Sequence, residues 1–177
     1  KKLILLLLFI PLVSFGQDEL KLFIKGKNNF ENENYDKAST YLNNALELNP
    51  SYVDAHFYTG LLNTKLKQYD KAILNYNKVL ELDLYNELAY LNRGRINYIL
   101  KNREAAQSDF KNAIEIDSKF IEAYDNLVLV SQSLKDYKTG LLAITKLIEF
   151  NPDFRNFFRR GLIKYRMGDK VGACKDA

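Results

Sequence analysis

The chain has 177 residues, with 26 Lys and Arg against 22 Asp and Glu, 47% hydrophobic residues, three Pro, eight Gly and one Cys. A net charge of only +4, with Lys and Glu alternating along the sequence, argues against the clustered basic surface of a nucleic-acid binder. A single cysteine excludes an internal disulfide, and a single histidine removes most routes to a metal site or a catalytic base.

The first segment reads as a leader. Lys1-Lys2, an apolar run from Leu3 to Val13, then Ser14-Phe15-Gly16 read as a secretory signal peptide over residues 1–16, cut between Gly16 and Gln17. Leu3 to Phe15 would make about 20 Å of helix against a hydrocarbon core of roughly 30 Å. Pro11 shortens it further, so cleavage is expected rather than anchoring. The mature chain, 17–177, is then expected in the periplasm of a Gram-negative bacterium or outside the cell, with no membrane span. Loss of Lys1 and Lys2 lowers its net charge from +4 to +2.

From Gln17 onward apolar residues recur at helical spacing, and no stretch alternates as a strand would. The pattern repeats every 34 residues, a period characteristic of helix–turn–helix solenoids. Units begin at Glu19, Val53, Glu87, Ile121 and Phe154, the last step being one residue short. Turns between units are expected at Asn49-Pro50, Leu84-Tyr85, Asp117-Ser118 and Asn151-Pro152, where proline suits a helix end. Within units the second helix should start after Asn34, Gln68, Asn102, Asp136 and Asp169, and all but Gln68 can cap a free backbone amide.

The second unit carries Gly60, Tyr69, Ala72, Tyr76 and Val79 at fixed offsets; the first carries Gly26, Tyr35, Ala38, Leu42, Ala45 and Pro50. Tyr90, Gly94, Ala106, Phe110 and Ala113 follow in the third, then Tyr124, Tyr137, Ile144, Leu147 and Pro152, then Phe157, Gly161 and Ala173. This spacing resembles the tetratricopeptide repeat (TPR) over essentially all of the mature chain. The resemblance implies an all-α, right-handed solenoid of helical hairpins, with about four full units and a partial fifth. Two departures carry expectations. Val128 and Gly140 exchange sizes in the fourth unit, which keeps volume constant if they face each other. Arg103 replaces the tyrosine that should lap onto the next unit, which would loosen that junction.

Catalytic chemistry is not legible. His56 stands at a core aromatic position, Cys174 has no partner at ligand spacing, and the glycines recur at packing positions rather than in a phosphate-cradling loop. No enzyme activity, cofactor or metal is expected. In the resembled family the first helices line a concave groove that holds a peptide. Transferred residue by residue, the groove positions of this chain include Phe57, Tyr58, Asn92, Arg95, Tyr98, Asn126, Arg155 and Arg159. Phe23, Lys27, Asp54, Leu61, Leu88, Glu122, Leu129 and Tyr165 fall at similar positions. Some members grip a C-terminal carboxylate; Asn126, Arg155 and Arg159 match part of that constellation, while Leu91 and Arg95 depart from it. Phe57 and Tyr58 have a second reading, in which they pack between neighbouring units.

The expected function is an exported scaffold that binds a protein or peptide, an acidic or C-terminal carboxylate group being one expected anchor, with no nucleic acid and no catalysis. A rival expectation is a sensory or regulatory input domain of a longer protein continuing past Ala177, where a large apolar residue would close the helix pair.

Overall fold

The structure is a computed structural model that describes residues 17–176, so the expected signal peptide over residues 1–16, and Ala177, lie outside the described residues. Among those described, all regular structure is helical and falls into five hairpins. Units 1 to 3 are α1 (Asp18–Glu31) with α2 (Tyr35–Leu48), α3 (Val53–Lys65) with α4 (Tyr69–Leu82), and α5 (Glu87–Ile99) with α6 (Arg103–Ile116). Units 4 and 5 are α7 (Ile121–Ser133) with α8 (Tyr137–Phe150), and α9 (Phe154–Arg166) with α10 (Lys170–Asp176). The expected starts hold to within a residue, and the missing residue of the last step falls in the turn before α9. No helix of the described residues is long and apolar enough to cross a membrane.

Each hairpin turn is closed by the same backbone device. The third amide past the helix reaches back five residues, as in Gln68 N–H to Asn63 O at 2.8 Å, and the amide before it reaches back three, to Thr64 O at 3.0 Å. That closure requires a left-handed residue, which is Glu33, Lys67, Lys101 and Lys135 in the first four units and Gly168 only in the fifth. Periodicity reveals no such position, because its usual marker, glycine, is absent from four of the five. The caps differ from expectation too. Asp136 and Asp169 accept amide hydrogen bonds from Thr139 and Gly172, whereas Asn34 and Asn102 accept none. A full negative charge gains more than an amide oxygen from the positive start of a helix, so the aspartates turn inward.

The core is a column of small-against-large contacts. A Cβ added at Gly26, Gly60 or Gly94 would meet Leu42, Tyr76 or Phe110 at 2.7–2.8 Å, so these glycines let the paired helices touch. The fourth unit corrects the expectation about Val128. A Cβ on Gly140 would meet Ser131 at 3.4 Å and Ile163 at 3.6 Å, so Val128 is not among its nearest neighbours. By the repeat register Val128 lies opposite Ile144, and both are fully buried in one cluster. The β-branched Ile144 stands where units 1 to 3 place Leu42, Tyr76 and Phe110, and here valine takes the position that is glycine in those units.

Between units, contact is asymmetric. First helices pack on the next first helix, α1 on α3, α3 on α5 and α5 on α7, while each second helix packs between the first helices of its own and the following unit. This puts the first helices on the inside of the curve. The junction after Arg103 carries a polar tie: Gln107 Nε2 donates to Ser131 Oγ at 3.1 Å and to Asp136 Oδ2 at 3.0 Å.

Two hairpins hold buried ion pairs at equivalent places, each with partners sixteen residues apart. In unit 3, Arg93 grips Asp109 with Nη2 at 2.6 Å and Nε at 3.1 and 3.2 Å, while its Nη1 donates to Asn77 at 2.6 Å. Asn97 donates to the same carboxylate at 3.0 Å. In unit 5, Arg160 Nε lies 2.8 Å and Lys164 Nζ 2.7 Å from Asp176 Oδ2. Hydrogen bonding from Arg160 holds the Asp176 carboxyl down at about 2, below its ordinary range. A carboxyl depressed in the folded state contributes stability that is present above its unfolded pKa and lost as pH falls toward the folded one. Acid from pH 5 down to pH 2 should therefore release α10 first. Amide exchange along the acid titration checks this: Asp176→Asn should open α10 already at neutral pH and remove that step.

Candidate functional site

The inner surface built by α1, α3, α5, α7 and α9 divides into an aromatic half and a charged half. In the aromatic half Tyr58 leans back on unit 1, its ring 5.4 Å from Phe23 and 5.9 Å from Phe30. Lys27 Nζ sits 5.6 Å from the centre of the same ring. Phe57 turns the other way, 5.9 Å from Tyr76, which is wholly buried. Adjacent residues on a helix point about 100° apart, so Tyr58 fills the junction with unit 1 while Phe57 packs inside its own hairpin, and both are half-buried. Phe23, placed at a groove position by register, is in the core at 8% exposure.

The middle and C-terminal residues are tied to one another. Arg95 reaches across to Glu122 at 2.9 Å, and Tyr98 shares a 3.2 Å hydrogen bond with Ser133, both linking α5 to α7. The side-chain amides of Asn92 and Asn126 donate to carbonyls one turn back, Leu88 O and Glu122 O. Arg159 Nη1 lies 2.6 Å from Asp125, across the junction of units 4 and 5. Its Nη2 is buried with no hydrogen-bond partner. Arg155 folds onto Asp153 at the start of its own helix, where its hydrogen bonds hold the Asp153 carboxyl below the usual range. Even so, the Arg155 side chain is 85% exposed.

Arg155 and Arg159 line one cavity of about 320 Å³ together with Glu122, Asp125, Asn151 and Asn156; Asn126 does not line it. Two guanidinium groups and two carboxylates there make a mixed-charge site, not an open cationic one. An incoming carboxylate would exchange with Asp125 or Asp153 as partner to a guanidinium already positioned for two-point contact. Sequence reading located the arginines by register but missed the acids that balance them. The available signal was the acid at Asp125, one full repeat before Arg159.

His56 is tied into the packing of units 1 and 2. Its ring nitrogens lie 2.9 Å from Pro50 O and 3.3 Å from Asn75 Oδ1, so it bridges the turn after unit 1 to α4.

Two family models described as tetratricopeptide repeat match residues 25–87 and 88–120. Among solved structures, MamA superposes with a TM-score of 0.82 at 23% identity, over 91% of this chain and 88% of that one. YrrB, described as a TPR protein with an unusual peptide-binding site, gives 0.80 at 17% identity, over 90% and 82%. PilF of Pseudomonas aeruginosa gives 0.73 at 22% identity, over 92% and 74%. No curated protein matches the sequence. At these identities the structural likenesses establish the fold.

Proposed function

The chain belongs to the tetratricopeptide repeat family, and from that premise we propose that it is an exported, non-catalytic scaffold holding a peptide or protein partner in the groove of its first helices. The observation that carries this reading is the packing of first helix on first helix, which lays half-buried rings and exposed polar groups along one continuous inner surface. The peptide-binding site of the structurally similar YrrB supports it by analogy. Export rests on the charged, apolar and small-residue pattern of residues 1–16, and mass spectrometry from the host should find Gln17 at the N-terminus.

At the C-terminal end the partner presents an acidic side chain or a terminal carboxylate. Arg155 is the exposed anchor, and Arg159 becomes available when the ligand displaces Asp125. Hydrogen bonds to charged groups contribute roughly 1.5–3 kcal/mol each when shielded from water. Arg155→Ala and Arg159→Ala should each weaken partner binding about tenfold or more, since roughly 1.4 kcal/mol is a factor of ten. The salt dependence should flatten as a charge contact is lost. The test is a binding titration at two ionic strengths, using the partner recovered from a periplasmic extract. Parent-like binding by both variants would show that this end of the groove is an ordinary solvated face.

A further inference from the structure

Two junctions on the outer side of the solenoid are plugged by a long planar side chain. Between units 2 and 3 the plug is Arg93, which donates to Asn77 Oδ1 at 2.6 Å and to Asp109, itself held by Asn97. Between units 3 and 4 it is Gln107, which donates to Ser131 at 3.1 Å and to Asp136 at 3.0 Å. Between units 1 and 2 both plugging positions are short. Repeat register puts Thr59 at the place of Arg93 and Ser39 at the place of Gln107. A cavity of about 500 Å³ opens there between α2 and α4, lined by Ser39, Asn43, Thr59, Asn63 and Gln68.

The groups that receive a plug elsewhere are polar here too. Asn43 is the counterpart of Asn77, Asn63 of Asn97 and Ser131, and Gln68 of Asp136. Asn63 is only 9% exposed, and its side-chain amide has no hydrogen-bond partner among the described residues. A buried amide left unpaired is costly, so it points to a group that comes to it. Three features select a guanidinium. Asn43 repeats the oxygen that takes Arg93 Nη1. The Asp36 carboxylate, on the same lining, has no cationic partner among the described residues. Leu46 and Leu74 also line the cavity, where they suit the methylene stem of an arginine. Asn75, the counterpart of Asp109, is already engaged, its Oδ1 with His56 at 3.3 Å and its Nδ2 with Lys71 O at 2.8 Å. The guanidinium comes from outside units 1 and 2, since the first arginine of the sequence is Arg93. We propose that the outer junction of units 1 and 2 is a binding slot for the guanidinium of an arginine, held by Asn43 and Asn63 with Asp36 at its rim. The slot is separate from the groove of the first helices and can be tested apart from it.

The probe is N-acetyl-L-arginine amide, titrated into the isotope-labelled full chain while the side-chain amide signals of Asn43 and Asn63 are followed. Both should shift saturably. N-acetyl-L-lysine amide carries the same charge without the planar fork, and N-acetyl-L-citrulline amide is planar but neutral. Each should bind at least tenfold more weakly. Asn43→Ala, at an exposed position, should weaken the probe at least tenfold with the thermal melt unaltered. Thr59→Arg should abolish binding by plugging the slot as Arg93 does. Free L-arginine binding more tightly than the blocked probe would make the source a free amino acid, its carboxylate paired with Lys71 on the same lining. Parity would make the source an arginine side chain of a partner protein. No saturable shift, equal binding of the lysine or citrulline analogue, or parent-like binding by either folded variant would overturn the proposal.

Discussion

Asp109→Ala should lower stability by about 3–5 kcal/mol, the range for breaking a buried ion pair from one side. The carboxylate is 3% exposed and receives hydrogen bonds from Arg93 and Asn97. Without it the guanidinium keeps only the Asn77 oxygen and the face of the Tyr90 ring, 5.5 Å away. Replacing both members with apolar residues, Arg93→Met with Asp109→Leu, should cost less than Asp109→Ala alone, because no uncompensated charge then stays inside. The loss should also spread. Stability in a repeat array is a sum of unit and nearest-neighbour terms, and α5–α6 is the central hairpin of the five. Weakening it should uncouple the two ends, so the urea transition of Asp109→Ala broadens as well as shifting. A single sharp transition within about 1 kcal/mol of the parent would mean that this pair behaves like an exposed one.

Alanine at Gly60 and at Gly140 should act with opposite signs. At Gly60 the new methyl would lie 2.7 Å from Tyr76 Cε1 and 2.9 Å from Cζ, and that ring is wholly buried. Overpacking of this kind costs about 1–3 kcal/mol, more than the 0.5–1 kcal/mol or so that alanine gains over glycine in a helix. At Gly140 the nearest atoms are Ser131 Cβ at 3.4 Å and Ile163 Cδ1 at 3.6 Å, ordinary contacts that leave the helix gain intact. Gly140→Ala should therefore stabilise by about 0.5–1 kcal/mol, and chemical denaturation of the two variants checks both signs. Two losses of equal size would refute the contact geometry.

These predictions mark where the sequence was legible. Unit boundaries, helix type and the small-against-large columns could be read because they recur at a fixed period, so each unit confirms the next. The volume exchange at Val128 was noticed but given the wrong partner, since spacing shows that a position is small without showing what it touches. Ion pairs were illegible for a related reason. Arg93 and Asp109 look like any surface charges until the hairpin brings helix faces together sixteen residues apart. The left-handed turn residues were hidden because lysine and glutamate occupy them. For the groove, register located Arg155 and Arg159 but not the balancing acids Asp125 and Asp153, because charge balance depends on distances between units.

The central claim is that a partner lies in the groove of the first helices. Amide exchange by mass spectrometry, on the chain alone and with the partner recovered from the host, addresses it directly. The account predicts new protection along α3, α5, α7 and α9, strongest near Tyr98 and Arg155, with α4, α6 and α8 unchanged. Protection confined to the second helices, with the first helices unaltered, would contradict it.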